Sequence, residues 1–162
     1  MISVGCTPTV VLHNNFEGID EIRPGNYVFM DLTQVMLAVC RYEDVGLAVL
    51  ATVVSCNDLY AIVDAGSKVL SSDRAPHGSD RIVGYGMAQR IEVPGSAGML
   101  VTHLSEEHGF IAHGGNRLRI GERVQIMPNH ACSVANLAGE YTVIDEAGNI
   151  EHWPVDAAGC VR

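Results

Sequence analysis

Short apolar runs, each ended by Gly, Pro, Asn or Asp, recur along nearly the whole of this 162-residue chain. Such runs are typical of β-strands, and we predict strands at 26–31, 46–55, 59–63, 84–91, 99–104, 109–112, 122–127, 140–144 and 150–155. Helical spacing of apolar residues is found at 32–41. Because strands rarely alternate with helices, we expect an all-β fold rather than a doubly wound α/β sheet. The expected form is a mostly antiparallel sheet curled into a sandwich or partly closed barrel, with one or two short helices.

Composition limits the classes of partner. A hydrophobic content of 48% and a charged content of 18% are typical of one well-packed globular domain. The net charge is −9, from 10 basic and 19 acidic residues, which argues against binding to a nucleic-acid backbone. The longest apolar runs, at 35–39 and 47–54, are too short to cross a bilayer. We therefore expect neither nucleic acid nor a membrane as a partner.

Five scattered cysteines, with no C-x-x-C pair, give no disulfide framework and no four-cysteine zinc site. The N-terminal residues also lack the pattern of a signal peptide. These features predict a protein of the reducing cytoplasm. Only one lysine, Lys68, is present, so there is one candidate for chemistry that needs a lysine amine.

The segment R-V-Q-I-M-P-N-H-A-C places His130 and Cys132 two residues apart after a predicted strand. If the extended conformation continues to Cys132, strand alternation puts both side chains on one face. Imidazole nitrogen and thiolate sulfur suit zinc, and two protein ligands would leave open positions for water or substrate. The alternative is a structural role, with a buried thiol beside a hydrogen-bonded histidine.

Two turn segments precede these residues. Gly5, Cys6 and Thr7 form a turn that could offer backbone N–H groups and a hydroxyl to an anion, although G-x-T-P is more often an ordinary turn. The segment E-I-R-P-G-N-Y-V-F-M-D at 21–31 contains an R-P-G turn, for which ordinary turn chemistry is a sufficient explanation.

Two further segments contain charged residues beside glycines. V-D-A-G-S-K-V-L-S-S-D at 63–73 places Asp64 and Lys68 around a turn, where Lys68 is expected to form a surface salt bridge. S-E-E-H-G-F at 105–110 places Glu107 next to His108. A carboxylate beside a histidine is suited to proton transfer or to supporting a metal ligand, but it equally fits a solvated loop.

Taken in order, these segments resemble one family. S-V-G-C-T-P-T, E-I-R-P-G-N-Y-V-F-M-D, V-D-A-G-S-K-V-L-S-S-D, S-E-E-H-G, P-N-H-A-C-S-V-A-N-L and the tryptophan of E-H-W-P-V follow one another as in the C-terminal part of the D-serine dehydratase and D-threonine aldolase family. These enzymes are similar in fold to the bacterial alanine racemases. The resemblance implies an N-terminal (β/α) barrel that holds pyridoxal phosphate on a lysine, and a C-terminal β-domain that carries a divalent metal.

The resemblance also implies roles for matching residues. His130 and Cys132 correspond to the metal-ligand pair, and the cysteine makes the pair more similar to the zinc-dependent dehydratases than to aldolases with a carboxylate there. Gly5, Cys6 and Thr7 resemble the loop that contacts the cofactor phosphate, with Cys6 where relatives often have serine.

Other roles depend on looser matches. Glu107 and His108 are the candidate catalytic residues, expected to orient groups bound to the metal. Val134 stands where relatives commonly have threonine, so the surroundings of the metal are expected to differ in detail. Lys68 is not expected to hold the cofactor, because relatives carry the D-A-G-x-K lysine in addition to the cofactor lysine.

We accordingly expect residues 1–20 to be a remnant of the barrel-closing, phosphate-contacting loop and residues 21–162 to be the β-domain. The implied function is the metal-bearing part of a lyase, dependent on pyridoxal phosphate and zinc or another divalent metal, that acts on D-3-hydroxy amino acids such as D-serine or D-threonine. Its implied partners are a (β/α) barrel domain or subunit and a second copy in a homodimer. The alternatives are a stand-alone domain that binds metal or a protein partner without catalysis, and a purely structural β-domain.

Overall fold

The computed structural model describes residues 1–74, 82–93 and 95–160. In these ranges the strands are β1 (Ser3–Gly5), β2 (Glu21–Arg23), β3 (Val49–Cys56), β4 (Tyr60–Val63), β5 (Gly86–Arg90), β6 (Met99–Leu104), β7 (Gly109–Ala112), β8 (Arg123–Pro128), β9 (Glu140–Ile144) and β10 (Ile150–Pro154). The α-helices are α1 (Thr7–Leu12), α2 (Leu32–Met36), α3 (Ser67–Leu70) and α4 (Ala131–Leu137).

Six strands form a closed barrel in the order β3-β4-β7-β6-β5-β8. Every neighbouring pair is antiparallel, and the barrel closes because β8 pairs with both β3 and β5. This arrangement confirms the predicted all-β, mostly antiparallel fold. Closure removes the exposed strand edges that an open sheet would present.

Alternating residues of these strands fill the barrel, as period-two patterning requires. The buried apolar residues that the strands contribute are Ala51, Val53, Ala61, Val63, Ala88, Met99, Val101, Ile111, Val124 and Ile126. On β3 and β4 a buried alanine is followed two residues later by a buried valine, whereas the buried residues of β5 are Gly86 and Ala88. Leu70 of α3 and Leu118 join the same core.

The predicted strands 99–104, 109–112 and 140–144 agree with β6, β7 and β9 at both ends, and the other barrel and hairpin strands differ by three residues or fewer. The predicted strand 26–31 is wrong, because Asn26–Val28 form a single 3₁₀ turn. Local bonds cause this conformation: the backbone N–H groups of Phe29 and Met30 both donate to the carbonyl of Asn26. The helix predicted at 32–41 is shorter in the structure and ends at Met36. Two residues later, Ala38 has a positive φ of 56°, which a continuing right-handed helix does not allow.

The first residues form a unit that the sequence pattern did not indicate. β1 and β2 pair in parallel, and α1 connects them. Pro8 is accommodated in the first turn of α1, where its missing N–H costs no hydrogen bond. The unit includes residues on both sides of the predicted division at residue 20, and that division itself stays a prediction.

An antiparallel hairpin, β9–β10, follows α4. Tyr141 anchors its base: the ring lies 5.6 Å from that of Phe29, and the hydroxyl donates to the carbonyl of Ala135 at 3.0 Å. Leu47, Ala131 and Val134 form a small buried cluster beside this contact. α4 is therefore held between the barrel and the hairpin.

Candidate metal centre

His130 lies between the end of β8 and the start of α4, and Cys132 lies in the first turn of α4. β8 ends at Pro128, His130 is extended with φ −134° and ψ 105°, and α4 begins at Ala131. The extended conformation does not continue to Cys132, because Cys132 is in the first turn of α4. A turn, rather than strand alternation, determines how the two side chains are placed.

Asp73 orients the ring of His130. The Nδ1 atom of His130 lies 2.7 Å from Oδ2 of Asp73, and the two side chains are 32% and 33% exposed. With the proton of Nδ1 donated to the carboxylate, Nε2 is the nitrogen that can bind a cation. A carboxylate behind a histidine is the usual support for a metal-bound imidazole.

The thiol of Cys132 lies in an acidic environment. Cys132 is exposed rather than buried. Partial desolvation of its sulfur raises its pKa most, and the negative charges of Asp31 and Asp73 raise it further. The thiol therefore keeps its proton more strongly than an ordinary cysteine does while no cation is bound. A cation would offset the nearby carboxylates and take the place of that proton.

Asp31 is a fully buried carboxylate in contact with the same segment. One oxygen accepts the N–H of Gln34 at 3.0 Å and so caps the start of α2. The other accepts the N–H of Ala131, the residue between His130 and Cys132, at 2.9 Å. The sequence analysis did not select Asp31, although an aspartate directly before a helix is a recognisable N-cap signal.

Asn129 connects the strand end to the segment that carries Asp73. Its side-chain amide donates to the carbonyls of Arg74 at 2.7 Å and Gly84 at 3.0 Å. The backbone carbonyl of Asn129 accepts a hydrogen bond from the hydroxyl of Thr33 at 2.7 Å. These bonds hold the residues next to Asp73 against the residue before His130. No sequence signal indicated them, because the partners are far apart along the chain.

The predicted catalytic residues, Glu107 and His108, lie in the turn between β6 and β7. Glu107 forms an exposed ion pair with Lys68, which holds the pKa of that carboxyl below its usual range. At the start of α3, a Cβ on Gly66 would clash with the backbone of this turn, at the carbonyl of Glu106. α3 in turn packs against α4, so the turn is connected to the helix of Cys132 through α3.

Gly5, Cys6 and Thr7 form the connection between β1 and α1. Cys6 has a positive φ of 68°, and its sulfur lies 3.0 Å from the hydroxyl oxygen of Thr9. Hydrogen bonds from Thr9 lower the pKa of Cys6. The hydroxyl of Thr7 is buried without a hydrogen-bond partner among the described residues.

A guanidinium lies beside this loop. A Cβ on Gly5 would be 3.6 Å from the nitrogens of Arg23. Arg23 also donates to the hydroxyl of Ser3 at 2.8 Å and lies 3.5 Å from a carboxylate oxygen of Glu21. The loop thus combines a cation with an unsatisfied buried hydroxyl, a combination that suits an anionic group.

Within residues 1–74, 82–93 and 95–160, no group of three or more His, Cys, Asp and Glu side chains is arranged to hold a metal ion. In the same ranges, no helix has the length and apolar character needed to cross a membrane. All five cysteines are free thiols.

Comparison with known proteins gives a consistent match. Residues 46–144 match the model of the putative serine dehydratase domain. The D-threo-3-hydroxyaspartate dehydratase of Delftia sp. (strain HT23) is 34% identical over 163 residues, which cover 94% of this chain and 43% of that enzyme. The D-serine dehydratase of Dictyostelium discoideum is 34% identical with the same coverage. The chain thus spans less than half the length of these two relatives.

For a shorter relative, the match covers a much larger share of the relative's own length. An uncharacterized protein of Mycobacterium tuberculosis is 31% identical over 138 residues, which cover 80% of this chain and 96% of that protein. Nearly the whole of that protein therefore corresponds to the present chain.

Solved structures extend the likeness to three dimensions. An alanine racemase-like protein from Idiomarina loihiensis superposes with a TM-score of 0.84 at 31% identity, covering 95% of this chain and 43% of that one. A cysteine-to-alanine variant of D-threo-3-hydroxyaspartate dehydratase, described as a metal-free form, has a TM-score of 0.81 at 33% identity, covering 94% and 43%. A second variant of that enzyme replaces a histidine two positions before the cysteine.

Proposed function

The chain belongs to the putative serine dehydratase domain family. We propose that it is the metal-bearing C-terminal part of a pyridoxal-phosphate- and zinc-dependent lyase. The proposed substrates are D-3-hydroxy amino acids such as D-serine or D-threonine. The relatives named for D-serine and D-threo-3-hydroxyaspartate support this class, because both compounds carry a hydroxyl on the β-carbon. The observation that carries the proposal is the His130–Cys132 pair with Asp73 on the imidazole.

The residues present fit a divalent metal. His130 and Cys132 offer the nitrogen and sulfur donors that zinc accepts, and Asp73 keeps the proton of the imidazole on Nδ1. The spacing of the pair equals that of the histidine and cysteine replaced in variants of the Delftia dehydratase, one of which is described as metal-free. When bound, zinc would supply Lewis-acid stabilisation of the oxygen that leaves the β-carbon.

Pyridoxal phosphate would supply the electron sink that makes the α-carbon acidic. Gly5, Cys6 and Thr7 are the proposed contacts of its phosphate, supported by the unpartnered hydroxyl of Thr7 and the nearby guanidinium of Arg23. Glu107 and His108 remain the proposed catalytic residues, which would orient groups bound to the metal. The ion pair with Lys68 lowers the pKa of Glu107, so this carboxylate stays ionised and is a weak proton acceptor.

Lys68 is unsuited to hold the cofactor. Its ammonium pairs with Glu107 and Glu106, and these hydrogen bonds raise its pKa. A lysine that attacks an aldehyde must lose its proton, and the two carboxylates oppose that loss. The cofactor lysine must therefore come from a separate barrel domain or subunit.

The β1–α1–β2 unit supports such a barrel. Parallel sheets are almost always larger than two strands and covered on both faces. All three residues of β2 are exposed, Ile22 at 46%, and no other described strand pairs with either β1 or β2. Two short parallel strands with open edges fit the end of a larger (β/α) barrel.

A homodimer in the reducing cytoplasm is part of the same proposal. The five free thiols agree with a reducing compartment.

The second candidate is a stand-alone domain that binds metal or a protein partner without catalysis. The mycobacterial relative supports it, because this domain makes up nearly the whole of that protein. The closed barrel also has its own continuous core and can bury its apolar residues without a neighbouring domain.

Reconstitution distinguishes the two candidates. We expect the chain alone, supplied with pyridoxal phosphate and zinc, to release no pyruvate from D-serine. Addition of a barrel-only protein from the same source should produce turnover, which Cys132→Ser should abolish and Lys68→Ala should retain. Turnover by the chain alone that Lys68→Ala abolishes would contradict the assignment of the cofactor lysine. Absence of turnover with every barrel partner would favour the stand-alone domain.

A further inference from the structure

We propose that Asp31 is a positioning residue of the candidate metal centre, whose buried carboxylate holds the backbone N–H of Ala131 and so sets the turn that presents His130 and Cys132. The inference rests on the metal-binding role proposed above. It adds a residue that lies 100 positions away from Ala131 along the chain.

The two oxygens of Asp31 have different partners. Oδ1 accepts the N–H of Gln34 at 3.0 Å, which caps α2. Oδ2 accepts both the side-chain amide of Asn26 at 2.7 Å and the N–H of Ala131 at 2.9 Å. The carboxylate is completely inaccessible to solvent. Each oxygen is therefore satisfied, and the charge is stabilised by three donors rather than by water.

The cap alone does not account for this arrangement. Serine, threonine or asparagine caps a helix about as well as aspartate does, and none of them requires a buried charge. The second oxygen is used at the start of α4, between the two candidate ligands. A hydrogen bond at this backbone position fixes where the chain leaves its extended conformation, and thus the relative placement of imidazole and thiol. A buried anion behind the ligands also favours a cation in front of them.

The test separates the cap from the contact with Ala131. In Asp31→Ser, the serine hydroxyl can still cap α2. The serine side chain is too short to accept the N–H of Ala131 as well. Asp31→Ala removes both functions. Val53→Ala, in the barrel core, is the matched control, because it lowers stability without touching the site. Circular dichroism establishes that each variant is folded.

Cobalt(II) is the probe, because a cysteine ligand gives a thiolate-to-cobalt charge-transfer band. We expect Asp31→Ser and Asp31→Ala to bind cobalt about 10- to 100-fold more weakly than the parent, the usual effect of removing support behind a ligand. Val53→Ala should bind cobalt as the parent does. In the metal-free protein, the amide hydrogen of Ala131 should exchange faster in Asp31→Ser than in the parent.

A folded Asp31→Ser variant with parental cobalt affinity, or with parental exchange at Ala131, would overturn the inference. Should Asp31→Ser fail to fold, Asp31→Asn serves the same comparison, because it keeps the side-chain shape and loses one acceptor oxygen. A parent protein without a Cys132-dependent band would refute the metal site itself and this inference with it. A parental band that the Asp31 variants leave unchanged would refute the role of Asp31 alone.

Discussion

Two carboxylates act on the His130–Cys132 segment in different ways. Asp73 is partly exposed and bonds to the imidazole of His130, so it controls the orientation of a side chain. Asp31 is buried and bonds to the backbone of Ala131, so it controls the position of the turn. Both negative charges also raise the pKa of Cys132. The local charge therefore favours a cation at this place.

Replacement of Asp73 tests the support of the imidazole. Asp73→Ala removes the acceptor for Nδ1 of His130, and we expect zinc affinity to fall by about 10- to 100-fold. Asp73→Asn keeps an acceptor oxygen, so its zinc affinity should fall less than that of Asp73→Ala. The measurement is competition with a chromophoric chelator, and Asp156→Ala, at an exposed position, is the matched control. Equal zinc affinity in Asp73→Ala and Asp156→Ala would show that Asp73 does not support a ligand.

At the level of elements, the barrel and the hairpin β9–β10 contribute unequally to stability. Every barrel strand places side chains in one core. The hairpin has no residue in that core, and all five residues of β10 are exposed. The free energy of unfolding should therefore depend on β3–β8 far more than on β9 and β10.

A pair of identical substitutions tests this difference. Ile126 on β8 is 0% exposed, whereas Ile144 on β9 is 66% exposed. Ile126→Ala should lower the free energy of unfolding by about 2–5 kcal/mol, because it removes buried methyl groups and leaves a cavity. Ile144→Ala should change it by about 0.5 kcal/mol or less. Urea unfolding followed by circular dichroism measures both values, and similar losses would contradict the assignment of the core.

The barrel strands were predictable because alternation is a local signal. The pattern gave a wrong prediction where local hydrogen bonds determine the conformation. The backbone N–H groups of Phe29 and Met30 donate to the carbonyl of Asn26, so 26–31 is not a strand. β1 and β2 are three residues long, too short to show any period. α4 begins one residue after His130, where its start depends on the distant carboxylate of Asp31.

The candidate site was predictable only in its two proposed ligands. The H-x-C spacing and the flanking motifs selected His130 and Cys132. The residues that hold them are 57 positions away for Asp73 and 100 positions from Ala131 for Asp31. Asn129 similarly bonds to Arg74 across 55 positions. Such contacts join residues far apart along the chain, so no local sequence pattern indicates them.

At the level of the whole molecule, a closed six-stranded antiparallel barrel is joined to a two-stranded parallel unit. Within the described part of the chain, every barrel strand has a neighbour on both sides, whereas β1 and β2 each pair on one side only. This difference matches the comparison with relatives: the chain spans 43% of the Delftia dehydratase and 96% of the mycobacterial protein. His130 and Cys132, the proposed metal ligands, lie at the end of β8, next to the closed barrel. Metal binding should therefore be measurable on this chain without a barrel partner.

X-ray absorption at the zinc edge tests the central claim most directly. The zinc-loaded chain should show one sulfur neighbour at about 2.3 Å and nitrogen or oxygen neighbours at about 2.0–2.1 Å. Cys132→Ser should remove the sulfur neighbour and His130→Ala should lower zinc content, while Cys160→Ser, at another exposed cysteine, should change neither. A spectrum without sulfur, or a sulfur neighbour that persists in Cys132→Ser, would contradict a metal site at His130 and Cys132.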